Sequence, residues 1–153
     1  MTRLNTQLQA TGAEYLVLGN LLIQGIEAYK AHFNHPGYDL VAVNPDSQQA
    51  CRIQVKSRFA TDHGGGFPIN NFDCDFVIFV ALNRGYRYGK SKIKVAANLG
   101  VLEPASYVLP VDKVKDAQKQ TSTWNKVYLK DIAGSELALN NWQQISQFLN
   151  VLA

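Results

Sequence analysis

The spacing of apolar positions changes along this 153-residue chain, and the change of period predicts its elements. Helical spacing predicts a long first helix over residues 4–32, with Leu18 and Leu21 on its apolar face. Alternation of period two predicts strands over residues 38–43 and 50–57. Turn-forming residues separate these two strands, so we expect them to pair as an antiparallel hairpin.

A continuous apolar run over residues 76–82 is typical of a central strand that is covered on both faces. Shorter patterns then predict a basic turn at 84–90, a strand at 106–109, a helix at 111–118, an edge strand at 126–129 and a closing amphipathic helix at 135–152. This order predicts an α/β fold with a mixed sheet flanked by helices. The length suits one domain over residues 1–153.

Positive charge is concentrated in one part of the chain, although the formal net charge is only +3. Between positions 76 and 102 there is no acidic residue, and the five basic residues are Arg84, Arg87, Lys90, Lys92 and Lys94. A local patch of this kind attracts polyanions. The tyrosines and arginines of residues 84–90 are typical of a nucleic-acid surface, and equally of a solvated loop.

The two cysteines, Cys51 and Cys74, form no CxxC pair, and the N-terminus has no signal-like pattern. We therefore expect a cytoplasmic protein with reduced thiols that are buried or half-buried. No apolar run approaches the length needed to cross a bilayer, so no membrane partner is expected.

Gln54 and Lys56 lie two residues apart on the predicted strand 50–57, so their side chains share one face. Asp39 lies on the preceding strand. Glu14 interrupts the apolar face of the first helix, and a carboxylate aimed at a core needs a partner. That partner is a divalent metal, Lys56 or an arginine.

If these four residues converge, their side chains predict a metal site. Carboxylate and amide oxygens from Asp39, Glu14 and Gln54 suit Mg²⁺. A lysine beside that metal, Lys56, would orient or deprotonate an attacking water, as metal-assisted phosphodiester hydrolysis requires. Taken singly, Asp39 could cap a turn, and Gln54 and Lys56 could lie on the solvated face of a hairpin. Glu14 could simply pair with Arg52 or Lys56.

The order of helix acid, strand acid, hairpin and Gln-x-Lys resembles the PD-(D/E)xK nuclease superfamily, in a QxK variant similar to homing endonucleases and Holliday-junction resolvases. The resemblance implies a restriction-endonuclease-like fold and DNA cleavage with Mg²⁺, for which Mn²⁺ could substitute. By this resemblance Asp39 is the metal-binding aspartate, Gln54 takes the Asp/Glu position, Lys56 is the lysine and Glu14 is the helix acid. Gln54 departs from the usual carboxylate and removes one negative charge.

We expect DNA, duplex or branched, as the partner, and a homodimer or higher homo-oligomer because cutting two strands needs two sites. The residues expected to contact nucleic acid are Arg52, Arg58, Arg84, Arg87, Lys90 and Lys92. Two other functions stay open. One is a catalytically inactive nuclease-like protein that binds nucleic acid or assembles with a partner, and the other is a protein that acts on RNA through its tyrosine–arginine segment.

Overall fold

The computed structural model describes residues 6–32, 37–61, 66–88, 94–120 and 125–151. Within them the helices are α1 (Thr6–Ile23), α2 (Val111–Lys119) and α3 (Gln143–Leu149), and short 3₁₀ turns cover Leu129–Asp131 and Ser135–Leu137. The strands are β1 (Glu27–Lys30), β2 (Leu40–Val43), β3 (Ala50–Arg58), β4 (Phe67–Pro68), β5 (Phe76–Ala81), β6 (Arg84–Tyr88), β7 (Lys94–Val101), β8 (Ala105–Pro110) and β9 (Lys126–Val127). None of the described helices is long and apolar enough to cross a membrane.

A mixed sheet in the order β1-β2-β3-β5-β8 forms the centre of the fold. Strands β3 and β5 are parallel, and the other neighbouring pairs are antiparallel. Helices α1 and α3 cover one face of this sheet, and α2 covers the other. The predicted α/β fold with helices flanking a mixed sheet is therefore confirmed.

Strand β5 separates two hydrophobic clusters. All of its residues are buried, with Ile78 and Val80 in the cluster under α1 and α3 and with Val77 and Phe79 in the cluster under α2. A strand that is covered on both faces needs apolar residues at every position, which explains the continuous run in the sequence. The predicted central strand is confirmed, and its pairing holds β3 in register on one side.

The hairpin of β2 and β3 is also confirmed, and its register decides where the polar side chains lie. Leu40 pairs with Ile53, so both apolar side chains enter the core under α1. The turn is built on buried Asn44, whose Oδ1 accepts the backbone N–H of Asp46. The Asn44 Nδ2 group donates to the carbonyl of Leu149 at 2.8 Å, and this bond ties the turn to α3.

The prediction of one helix over residues 4–32 is wrong at its C-terminal end. Helix α1 ends at Ile23, and Gly25 follows with φ +81°. The Gly25 N–H donates to Leu22 and the Ile26 N–H donates to Leu21, which is the hydrogen-bond pattern of a glycine-terminated helix. The chain then reverses direction and forms β1, whose residues were predicted to belong to the helix.

The predicted closing helix over residues 135–152 is much shorter in the structure, where α3 covers only Gln143–Leu149. Upstream, the chain forms a β-bridge from Leu139 to Tyr107, and Asn140 has φ +52°. The Asn140 N–H donates to the carbonyl of Ser106 at 2.7 Å. Pairing with the edge strand β8 therefore replaces helical hydrogen bonding in this part of the chain.

The segment predicted as a basic turn at 84–90 is instead strand β6, which pairs antiparallel with β7. The end of the predicted turn, including Lys90, lies outside the described residues. The predicted edge strand at 126–129 is shorter, since β9 covers Lys126–Val127 and pairs with β4. The predicted strand at 106–109 and helix at 111–118 correspond closely to β8 and α2.

Two glycines give opposite predictions for stability. A Cβ at Gly66 would overlap the carbonyl oxygen of Val127, and φ there is +72°. We expect Gly66→Ala to lower the free energy of unfolding by at least about 1–3 kcal/mol. Gly12 lies in α1 with open space around it, so Gly12→Ala should raise that free energy by about 0.5–1 kcal/mol. Urea denaturation of both variants tests this, and a neutral Gly66→Ala would contradict the β4–β9 pairing.

Candidate functional site

Asp39 lies at the end of the sheet, immediately before β2. Its backbone N–H donates to the carbonyl of Ile53 at 2.8 Å, and its own carbonyl accepts the N–H of Ala31 at 2.8 Å. Its Oδ2 atom accepts the N–H of Val55 at 2.7 Å. The carboxylate is thus fixed in direction, and its other oxygen accepts no hydrogen bond from the described residues.

Gln54 is the cross-strand neighbour of Asp39, as the register of the hairpin requires. Its Oε1 atom is buried and has no hydrogen-bond partner among the described residues. A buried acceptor without a donor costs roughly 1–3 kcal/mol, and such atoms are rare in folded proteins. This oxygen therefore fits a ligand position for a cation.

Lys56 follows on the same face of β3 and is half-buried. Burial lowers the pKa of its amine, and the negative charge of Asp39 opposes that shift. The ammonium is therefore close enough to Asp39 to interact with it. Its depressed pKa makes the neutral amine more accessible than that of a surface lysine.

Glu14, on α1, lies close enough to the same aspartate to be affected by its charge. The helix buries Ala13 and Val17 in the cluster that contains Ile53, and Glu14 beside them is half-buried. Burial raises the pKa of Glu14, and the charge of Asp39 raises it further. A carboxylate held near a second carboxylate is an arrangement that a cation would stabilise.

Asp39 is the one of the four candidate residues that lies near each of the other three. Strand alternation places Gln54 and Lys56 on the face of β3 opposite to the one that α1 covers, while Glu14 approaches from the α1 side. In the described structure, no hydrogen bond or ion pair joins Glu14 to Gln54 or Lys56. Asp39 is therefore the group whose charge acts on both Glu14 and Lys56, from opposite sides of the sheet.

Lys30 is a site residue that the sequence reading missed, because it was assigned to the first helix. Strand β1 pairs it with Leu40, next to Asp39. Its Nζ lies 4.4 Å from the ring centroid of Tyr15. Its positive charge lowers the pKa of Glu14 and so opposes the other two effects. The cation near Glu14 is thus Lys30, and neither Arg52 nor Lys56 forms the ion pair considered from the sequence.

Arg52 shares the strand face of Gln54 and Lys56, but two aspartates bind its guanidinium. Nη1 lies 2.5 Å from Asp73 Oδ1, and Nε lies 3.5 Å from Asp75 Oδ2. The same Asp75 oxygen accepts the backbone N–H of Arg52 at 2.8 Å. If Arg52 contacts nucleic acid as predicted, a phosphate must compete with these two carboxylates for the guanidinium.

Both cysteines are unpaired and buried, as predicted. Burial raises the pKa of Cys74 to about 11 and raises that of Cys51 further. Cys74 lies on the Gln54 side of the sheet, and the backbone N–H of Gln54 partly offsets the rise in its pKa. These thiols are packing groups beside the site, since a protonated thiol is a poor nucleophile and a poor metal ligand.

The other basic residues predicted to contact nucleic acid lie farther along the chain. Arg58 ends β3, and Arg84 and Arg87 are exposed on β6. Lys90 and Lys92 lie outside the described residues.

The β6–β7 hairpin is docked on the segment that follows β3. The Thr61 N–H donates to Tyr86 at 2.7 Å, and the rings of Phe59 and Tyr86 lie 4.8 Å apart. The basic hairpin is therefore connected directly to the strand that carries Lys56.

The donor set fits a hard cation better than a zinc-type metal. Within the described residues, no group of three or more His, Cys, Asp and Glu side chains could hold a metal ion. In a site of this kind Asp39 and Glu14 would supply two carboxylates, and Gln54 Oε1, which has no partner among the described residues, would supply a neutral ligand. Mg²⁺ commonly takes only one or two protein carboxylates and keeps several waters, so this set is adequate.

The raised pKa of Glu14 predicts a specific pH dependence of stability without metal. The folded state binds this proton more tightly than the unfolded state, whose pKa is close to 4.5. The contribution of Glu14 to stability therefore falls as the pH rises from about 4.5 through the folded-state pKa. Glu14→Gln should stabilise the metal-free protein at neutral pH, and the gain should disappear in acid. Denaturation of both proteins across this range tests it, and a pH-independent difference would contradict the assignment.

Comparison with known proteins identifies a fold. No family model matches the chain, and no curated protein sequence matches it. Among solved structures, the chain is similar to a bacterial homing endonuclease, I-Ssp6803I, with a TM-score of 0.56 and 20% sequence identity. The match covers 94% of this chain and 92% of that chain. At this level of identity the likeness shows a shared fold, so the arrangement of β-sheet and helices described above is also that of the homing endonuclease.

Proposed function

We propose that this protein is a metal-dependent endonuclease that hydrolyses phosphodiester bonds in DNA. The observation that carries the proposal is the buried Gln54 oxygen, which has no hydrogen-bond partner among the described residues, beside the oriented carboxylate of Asp39 and with Lys56 on the same strand face. The similarity in fold to a homing endonuclease supports DNA as the substrate. The sequence resemblance to QxK nucleases points the same way.

Asp39, Gln54 and Glu14 would hold Mg²⁺, or Mn²⁺ in its place. When bound, such an ion polarises a phosphoryl oxygen and lowers the pKa of a coordinated water. The Val55 N–H keeps the Asp39 carboxylate in one orientation, so that little freedom is lost when a ligand binds. Lys30 stabilises the ionised form of Glu14, which is the form that coordinates a cation.

Lys56 is assigned the proton transfer. Its depressed pKa allows Nζ to accept a proton from the attacking water, and the resulting ammonium then faces the charge that develops on the phosphate. Oxygen from that water forms the new bond to phosphorus as the bond to the leaving nucleotide oxygen breaks. Burial of Lys56 is therefore part of the proposed function.

The β6–β7 hairpin would contact the DNA backbone beyond the scissile phosphate. Arg84 and Arg87 are exposed on β6, and docking of the hairpin on Phe59 and Thr61 fixes its position relative to Lys56. Phosphate contacts by such cations supply affinity and register more than sequence specificity.

A second copy of the chain would provide the second active site for cutting both strands. The outer side of α1 exposes Leu8, Tyr15 and Leu22 by 69%, 58% and 52%, one heptad apart. An exposed apolar stripe of this kind is typical of a surface that another protein covers. We include a homodimer or higher homo-oligomer in the proposal on this ground.

Plasmid cleavage tests the reaction. With Mg²⁺ or Mn²⁺, the wild-type protein should convert supercoiled DNA to nicked and linear forms. Lys56→Met should lower the rate by about 10²- to 10⁴-fold because the proton acceptor is lost, and Asp39→Asn should lower it at least as much. Asp46→Asn and Lys119→Gln are matched charge controls at exposed positions, and both should cut normally. Normal cutting by Asp39→Asn and Lys56→Met would refute the site.

The alternative is a nuclease-like protein that binds nucleic acid without cutting it, and the amide at position 54 favours it. With Asp39 and Glu14 as its two carboxylate ligands, the proposed site would depend for metal affinity on the neutral oxygen of Gln54. This alternative predicts salt-dependent DNA binding with no metal-dependent product. Gln54→Glu would then be expected to create cleavage activity, whereas in an active wild-type enzyme it should mainly tighten metal binding.

A further inference from the structure

The segment of residues 71–75, which we name the aspartate segment, lies against the candidate site. The Asp75 N–H donates to the Arg52 carbonyl at 2.8 Å, and the Arg52 N–H donates to Asp75 Oδ2 at 2.8 Å. A Cβ built at Gly37 would lie 3.0 Å from Asp73 Cβ, so Asp73 packs two residues from Asp39. Two carboxylates therefore lie beside a surface that is proposed to receive a polyanion.

The two carboxylates bind Arg52 in different ways. Asp75 is the more enclosed, with its side chain 21% exposed, and one of its oxygens accepts both the backbone N–H and Nε of Arg52. Asp73 is 59% exposed and reaches only Nη1. Asp75 is thus part of the β3–β5 framework, whereas Asp73 is attached to the outer edge of the guanidinium.

The outer edge of this guanidinium is suited to a phosphate. An arginine presents its donors as a planar fork that matches carboxylate and phosphate oxygens alike. Asp75 fixes the orientation of the fork, and the side chain of Arg52 remains 40% exposed on the strand face of Gln54 and Lys56. The group bound to Nη1 in this structure is the exposed carboxylate of Asp73, so a competing anion can reach Nη1.

We propose that Arg52 is a phosphate-binding residue for DNA, that Asp75 orients it, and that Asp73 occupies the phosphate position in the free protein. This inference rests on the proposed function, because it assumes that DNA approaches this face. A DNA phosphate must displace Asp73 to reach Nη1, so the aspartate weakens binding of any DNA that does not place a phosphate there. Asp73 would in this way favour DNA that places a phosphate at Arg52 over non-specific electrostatic binding.

The proposal predicts opposite effects for two changes that remove the same charge. Asp73→Asn should tighten DNA binding by about three- to tenfold because the competing carboxylate is gone. Asp75→Asn should weaken binding, because Arg52 loses the charged partner that orients it. A purely general electrostatic effect predicts tighter binding for both, by the amount seen with the distant control Asp46→Asn.

Fluorescence anisotropy of a short labelled DNA duplex, in EDTA to prevent cleavage, measures these affinities. Arg52→Gln should weaken binding and reduce the slope of log affinity against log salt by about one. In the Arg52→Gln background, Asp73→Asn should change affinity no more than Asp46→Asn does. Thermal melts check that each variant is folded, and Asp73→Asn should melt close to the wild type because its ion pair is exposed.

The outcomes separate the two proposals. Opposite shifts for Asp73→Asn and Asp75→Asn, both dependent on Arg52, support the assignment. If the wild type binds and cuts DNA but both variants shift in the same direction as Asp46→Asn, this inference alone is overturned. If the wild type binds no DNA at all, the proposed function is overturned and this inference with it.

Discussion

The hydrogen bond from the Val55 N–H to Asp39 Oδ2 connects the architecture of the sheet to the chemistry of the site. It exists only in the register that pairs Leu40 with Ile53. A slip of one residue would turn every side chain of β3 to the other face, so Ile53 would leave the core and Gln54 would enter it. The apolar residues of β3 thus position the polar ones, and the parallel pairing with buried β5 holds that register from the other side.

The candidate site also contains several polar groups whose burial lowers the stability of the folded protein. Glu14 is half-buried near a second carboxylate, Lys56 is partly desolvated, and the buried Gln54 oxygen has no donor in the part of the chain that the structure describes. Each arrangement costs stability in the absence of a ligand, and each is relieved or made useful by a cation and a phosphate. Functional sites are the usual place for such unfavourable groups, since packing elsewhere in the domain offsets them.

The sequence predicted those parts of the fold whose hydrogen bonds and packing are local or strongly periodic. The β2–β3 hairpin, the buried β5 strand and the position of Glu14 on an apolar helix face all follow from spacing. The sequence put Asp39 and Gln54 on neighbouring strands of one hairpin, and the register that makes them cross-strand neighbours comes from the structure. Strand β1 was missed because Gly25 was counted within a helix, although a glycine followed by an apolar residue is a signal for a helix end.

Long-range contacts explain the remaining differences. The closing helix is shortened by a β-bridge to Tyr107, a partner more than thirty positions away in the numbering. Arg52 is bound by Asp73 and Asp75, which reach it only because β5 pairs with β3. Lys30 lies near enough to lower the pKa of Glu14 only because β1 folds back beside β2. No spacing along the chain encodes these contacts, so a sequence pattern proposes candidate site residues without the groups that surround them.

The most direct test of the account is the position of a bound metal. Crystals soaked in Mn²⁺ would locate the ion by its anomalous scattering. The account predicts a single peak or a close pair of peaks at the end of the sheet, about 2 Å from a carboxylate oxygen of Asp39 and from Gln54 Oε1. A protein that cuts DNA with Mn²⁺ while the ion lies elsewhere, or while Gln54 Oε1 remains without a ligand, would contradict it.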